Sequence, residues 1–178
     1  MKPSIALSLL ACGLVLTGCG KKEEAAPSTS ATPAASTPAA APAAAAAPAA
    51  PAAAVIEITA NDAMKFSVTR FEVSPGQQVK LTLRNIGTMP KAAMGHNLVI
   101  LKKDADVKAF ADAAVMAAAT DYFPAAKADL AIAHTKLLGP KQSEEIDFTA
   151  PAEAGEYPFI CSFPAHFLAG MKGVMVVK

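Results

Sequence analysis

Cys161, His166 and Met171 fall on one short segment near the end of this 178-residue chain, and His96 lies far upstream. One thiolate, two imidazoles and one thioether make a soft, mixed donor set. Structural zinc sites draw on several cysteines, and catalytic zinc sites keep an open position and lack methionine. Two histidines and a cysteine in a trigonal arrangement, with a weak axial methionine, instead suit a mononuclear copper ion that cycles between Cu(I) and Cu(II). The thiolate supplies covalency, the imidazoles suit both oxidation states, and the distant thioether tunes the potential.

Such a site needs rigid elements to hold it. Tyr157-Pro158-Phe159-Ile160-Cys161 alternates, so Cys161 ends a strand pointing inward with Tyr157 and Phe159. Pro164 fixes φ and removes an amide donor near the metal, while Gly170 permits the turn that brings Met171 beneath it. His96 follows Gly95 and begins an apolar strand that continues through Asn97–Leu101, so its backbone should be rigid. Period-two alternation marks further strands around Val55–Ile58, Phe66–Val73, Val79–Leu83, Glu144–Phe148 and Gly173–Val177. About eight short strands separated by turn signals predict an all-β Greek-key sandwich over residues 55–178. One segment departs from this pattern: Asp104–Asp121 carries apolar residues at helical spacing and reads as an inserted helical flap. Tyr122–Ala133 then returns to the sheet irregularly.

The front of the chain has a different character. Residues 1–18 join a lysine to a short apolar run and a small-residue end, as a secretory signal does. Leu16-Thr17-Gly18-Cys19 resembles the bacterial lipoprotein cleavage box, which implies acylation of Cys19. Gly20 stands where an inner-membrane retention signal would place aspartate, which directs the expectation to the outer membrane. Residues 19–54 are almost wholly Ala, Pro, Ser and Thr. Recurrent prolines forbid a lasting helix and nothing large is available to bury, so this reads as a disordered spacer. In a polyproline-like form it would reach ~100 Å at most, at ~3.1 Å per residue.

Three cysteines and a net charge of +1 narrow the function. Cys12 leaves with the signal and Cys19 takes the lipid, so Cys161 is a lone thiol in an oxidising compartment, where a metal would occupy it. No basic block suggests nucleic acid. Only three histidines exist, so a second, substrate-binding copper of the kind a copper enzyme needs is not available. His134 has no neighbouring ligand and reads as a surface or structural residue. A copper chaperone or store remains the alternative to an electron carrier; its site should be exposed and exchangeable.

Several segments together resemble azurin: Asn61–Phe66, Met89–Asn97, Ala133–Gly139, Cys161–His166 and Met171–Gly173. The resemblance implies a cupredoxin sandwich and one-electron transport in the periplasm. It makes His96, Cys161 and His166 the equatorial ligands, Met171 the axial one, and the Gly95 carbonyl a remote fifth contact. Asn97 and Ser162 would tie the ligand loops together and tune the site. Met64, Met89, Met94, Phe163, Pro164, Phe167 and Leu168 would form an apolar docking patch for transient redox donors and acceptors, around a partly exposed His166. Met116 is a further candidate for its edge. Four residues, Phe167–Gly170, separate His166 from Met171, where azurins have three; that spacing resembles auracyanin. The chain has no tryptophan, and Asn85 stands where several azurins carry a pH-responsive histidine, so no such switch is expected. A lipid-bearing cysteine ahead of an Ala/Pro-rich spacer also resembles the lipid-modified azurins of some Gram-negative bacteria.

Overall fold

The structure, a computed structural model, describes residues 52–178; the expected signal segment, Cys19 and most of the spacer lie outside the described residues. Two sheets face each other. The first comprises β1 (Ala54–Asn61), β2 (Lys65–Phe66), β4 (Gln78–Asn85) and β7 (Ser143–Thr149), in the order β2-β1-β4-β7. The second comprises β3 (Arg70–Val73), β5 (Val99–Leu101), β6 (Ala131–His134), β8 (Gly155–Ile160) and β9 (Lys172–Val177), in the order β3-β9-β8-β5-β6. The β1/β4 and β3/β9 pairs are parallel and the others antiparallel, so the chain crosses between sheets as in a Greek key.

Alternation places the core. Ile58, Leu81, Leu83 and Phe148 from the first sheet meet Phe71, Ile100, Tyr157, Phe159 and Met175 from the second, with Leu98 just ahead of β5. Phe159 lies 5.6 Å from both Phe66 and Phe71, centroid to centroid, and so joins the two layers. β5 is buried on both faces, which is why its sequence is continuously apolar rather than alternating. Ile100 enters the main core, whereas Val99 and Leu101 join Phe110 and Ile160 in a second cluster on the outer face.

Phe110 belongs to α2 (Val107–Val115), whose first turn is capped by the Asp106 carboxylate accepting from the Ala109 amide at 2.9 Å. The helix is shorter than the expected Asp104–Asp121. It stops at Met116, and two 3₁₀ segments, Ala118–Thr120 and Ala125–Leu130, carry the chain back to β6. A run of alanines has helix propensity, but only Phe110 and Ala114 are buried along α2, and residues 117–121 offer no apolar face to continue the packing. The flap thus climbs the outer face of the second sheet, turns near Tyr122 and descends. A short α1 (Lys91–Met94) and the edge strand β6 complete the elements. β1, β4, β5, β8, β9 and β6 all place one end at the same pole, and the loops there build the site.

Candidate metal centre

His96 does not begin a strand. Its amide donates to the Leu138 carbonyl at 3.1 Å and its carbonyl accepts from the Leu138 amide at 2.8 Å, an isolated bridge three residues ahead of β5. The ladder cannot extend this far because side chains take its place: Thr135 Oγ1 accepts from the Leu98 amide (3.0 Å) and Asn97 Oδ1 from the Ser162 amide (2.8 Å). Gly95 closes α1 in an extended conformation, and a Cβ there would lie 2.7 Å from the Lys91 carbonyl and 2.8 Å from Leu137 Cγ. Glycine is required by space, not by its φ of −68°.

Cys161 follows the last residue of β8, and the segment beyond it braces itself. The His166 amide donates to the Phe163 carbonyl (3.1 Å), the Met171 amide to the His166 carbonyl (2.9 Å), and the Cys161 amide to the Met171 carbonyl (3.1 Å). Ala165 and Gly170 take positive φ, 70° and 87°, to close this loop. Cys161, His166 and Met171 are therefore held by backbone bonds to one another.

The three donors His96, Cys161 and His166 converge. Their ligand atoms lie within 4.8 Å of one another and all three residues are buried; this is the one such group among the described residues. Cys161 Sγ is 3.4 Å from His166 Nδ1, a separation two donors span when each sits about 2.0–2.3 Å from one ion. Both ring nitrogens of His96 are buried with no hydrogen-bond partner. A native fold rarely leaves such atoms orphaned unless something binds them. Met171 is fully buried and completes the donor set. The residues present thus fit a copper ion.

Burial dominates the electrostatics. It pushes the Cys161 thiol up to about 12, against the opposing pull of the Asn97 and Phe163 amides. It takes His166 down to about 4, helped by the His96 ring nearby. His96 is also lowered by burial, an effect the Asn61 backbone and the Asp62 carboxylate oppose without giving either nitrogen a partner of hydrogen-bonding geometry. Burial thus favours the uncharged form of each group in the metal-free site: a thiol that keeps its proton and imidazoles that do not gain one.

Asn97 and Ser162 form the junction around these ligands. Asn97 Nδ2 donates to Ser162 Oγ (2.8 Å) and to the Asp121 carbonyl (3.2 Å), while Ser162 Oγ donates to the Tyr122 carbonyl (2.7 Å). The link to the flap was not visible in sequence, because a backbone carbonyl acceptor has no residue signature. Asp121 and Tyr122 both take positive φ to present those carbonyls. Lys65 was missed for a similar reason: its Nζ donates to the Ala169 carbonyl (2.9 Å), tying β2 to the ligand loop.

The expected patch is unevenly exposed. Leu168 is 75 % exposed, Met89 40 % and Met116 88 %. Met64, Met94, Pro164 and Phe167 are half-buried. Phe163 lies under the surface rather than on it, edge-on to Tyr122 and 4.7 Å from the His166 ring. His166 itself is 2 % exposed, which corrects the expectation of a partly exposed ligand. His134 stacks on Phe123 at 3.8 Å, away from the ligand cluster, and Asn85 is buried between the Leu138 carbonyl and the Gly87 amide.

A two-sheet sandwich with a buried His₂-Cys-Met set at one pole defines a mononuclear type 1 copper protein of the cupredoxin class. The chain belongs to the plastocyanin/azurin family of copper-binding proteins, whose model it matches over residues 52–178. It is 42 % identical to Azurin-2 of Alcaligenes xylosoxydans xylosoxydans over 122 residues, covering 66 % of this chain and 92 % of that one. It is 44 % identical over 171 residues to the outer membrane protein H.8 of Neisseria meningitidis serogroup B, covering 90 % of this chain and 91 % of that one. Among solved structures, reduced auracyanin from Roseiflexus castenholzii superposes with a TM-score of 0.64 at 41 % identity, over 71 % of this chain and 98 % of that one. Proteins of this family carry electrons and are not enzymes.

Proposed function

We propose that this protein carries one electron at a time between redox proteins on the periplasmic side of the cell envelope, held to the outer membrane through an acylated Cys19. Bound copper supplies a one-electron couple. The observation that carries the reading is the closed, braced ligand set: His96, Cys161, His166 and Met171 are all buried, and their backbones are fixed by hydrogen bonds. A site that cannot rearrange suits rapid electron exchange, and a site without an open position does not suit substrate chemistry. The Gly95 carbonyl is the remote fifth contact in this reading, and Asn97 and Ser162 keep the ligands in place.

The chain's own residues divide the work. Cys161 gives up its proton on loading and the two imidazoles, already neutral, donate without proton loss. Phe163, 4.7 Å from the His166 ring, excludes water from that side of the donors. His166 lies on the loop nearest the exposed Leu168, so electrons enter and leave across that thin layer. The tether rests on the likeness to protein H.8, which is named an outer membrane protein and aligns over 90 % of this chain, more than the described domain alone contains.

A chaperone would need an exposed site that releases its ion; full burial of all four donors opposes that. Copper(II) added to the full chain should give an intense blue absorption and reversible one-electron cycling. Cys161→Ser should abolish the blue absorption. Colour that survives the substitution, or copper lost readily to a weak chelator, would sink the carrier reading.

A further inference from the structure

At the copper-bearing pole, Asp121 pairs with Lys91 (3.1 Å) and Glu144 with Lys136 (3.3 Å), while Asp62 accepts from the neutral Thr88 amide and hydroxyl (2.8 and 2.9 Å) and keeps its negative charge. Three lysines at the same pole have no carboxylate partner among the described residues: Lys65, Lys141 and Lys172. Each is nevertheless held in place. Lys65 Nζ donates to the Ala169 carbonyl at 2.9 Å, Lys141 Nζ to the Ile86 carbonyl at 3.0 Å, and Lys172 Nζ stands 5.2 Å above the Phe167 ring. Two of the three are thereby attached to the loop that carries His166.

The segments these lysines contact, and the loop after Ile86, also expose apolar side chains: Leu168 is 75 % exposed, Ile86 43 % and Met89 40 %. The described domain carries as many acidic as basic residues, so an unbalanced cluster of fixed cations here is a matter of placement rather than of overall charge.

We propose that this pole is a docking surface for an electron-transfer partner whose own redox centre sits in an apolar patch rimmed by carboxylates. Lys65, Lys141 and Lys172 meet that rim while Leu168, Ile86 and Met89 meet the patch. The proposal rests on the one-electron-carrier reading above. Rim charges of this kind act mainly on encounter: they accelerate association with an oppositely charged partner and lose their effect at high salt. An anionic membrane is the other surface that fixed lysines could meet. Stable lipid recognition draws on clusters of about 4–8 basic residues, which three lysines do not reach.

The test is the rate at which the reduced, copper-loaded full chain gives one electron to hexacyanoferrate(III), forming hexacyanoferrate(II), compared with the cationic tris(phenanthroline)cobalt(III), which becomes the cobalt(II) complex. At low salt, the combined variant Lys65→Gln, Lys141→Gln, Lys172→Gln should slow the hexacyanoferrate reaction by about tenfold. The cobalt reaction should hold or quicken, and high salt should erase the difference. A matched variant with the same loss of charge elsewhere (Lys102→Gln, Lys108→Gln, Lys127→Gln) should change the hexacyanoferrate rate little. Equal slowing by both variants, or no slowing by the first, overturns the docking surface while leaving the carrier reading intact. Failure of the parent protein to cycle with either reagent would defeat the carrier reading itself. Co-flotation of the Cys19→Ser chain with phosphatidylserine vesicles, lost in the first lysine variant, would assign the face to lipid and overturn the protein partner.

Discussion

Individual residues set the thermodynamics of metal loading. In the metal-free protein, burial holds the Cys161 thiol at about 12, so near pH 7 it is protonated; His166, at about 4, is neutral. Loading requires the thiolate and neutral imidazoles, so one proton leaves, from Cys161 alone. The sign follows: affinity for copper(I) should rise by about tenfold per pH unit around neutral pH, and fall more steeply in acid, below about pH 4, where His166 also binds a proton. Calorimetry at pH 7 in buffers of differing ionisation enthalpy should give one proton released per ion; a value near zero would mean a resident thiolate and contradict the burial argument. The ligand types and spacing were legible in sequence because soft donors at these intervals have few other uses. What escaped was the burial of His166. It depends on Phe163 folding beneath the surface, edge-on to Tyr122 of a flap some forty residues away in the chain.

Elements explain why those residues converge. Strand alternation in β8 was readable and placed Cys161 inward beside Phe159, as the structure shows. The apolar run after His96 predicts a strand that begins at this residue. The structure stops β5 at Val99 because Thr135 and Asn97 side chains satisfy the amides a ladder would use. Side-chain substitutions for ladder bonds leave no periodic signal. α1 was missed for a related reason: four residues after Pro90 are too few to show a period. Yet α1 matters, because its Lys91 carbonyl and Leu137 together leave no space at Gly95. Gly95→Ala should therefore force α1 or His96 to move, costing about 1–3 kcal/mol as other overpacked sites do. Denaturant unfolding should show the lower midpoint, and the blue absorption of the loaded variant should shift with His96. A wild-type midpoint and spectrum together would show that the helix yields without strain.

At the scale of the whole molecule, polarity is the controlling feature. Every loop carrying a ligand lies at one end of the sandwich, whereas β1 starts at Ala54 at the other end, with the Ala52 carbonyl accepting from Gln77 Nε2 at 2.7 Å. β1 runs from that end to Asn61, beside the site, so the full length of a strand separates the point where the spacer joins from the copper. The sheet order and the crossovers make this arrangement, and neither can be read from strand patterns alone, since alternation identifies a face but not a neighbour. It has a consequence for anchoring. If Cys19 carries the lipid, its loss should free the protein from the envelope without disturbing the site, because β1 among the described residues begins a full strand length from the ligands. Cys19→Ser, expressed in a Gram-negative host, should move from the membrane to the soluble periplasmic fraction while retaining its blue absorption and reduction potential. Retention in the membrane fraction would remove the lipid tether from the proposed function. A changed potential in the released protein would show instead that the spacer reaches the copper pole, and that separation along β1 does not isolate the site.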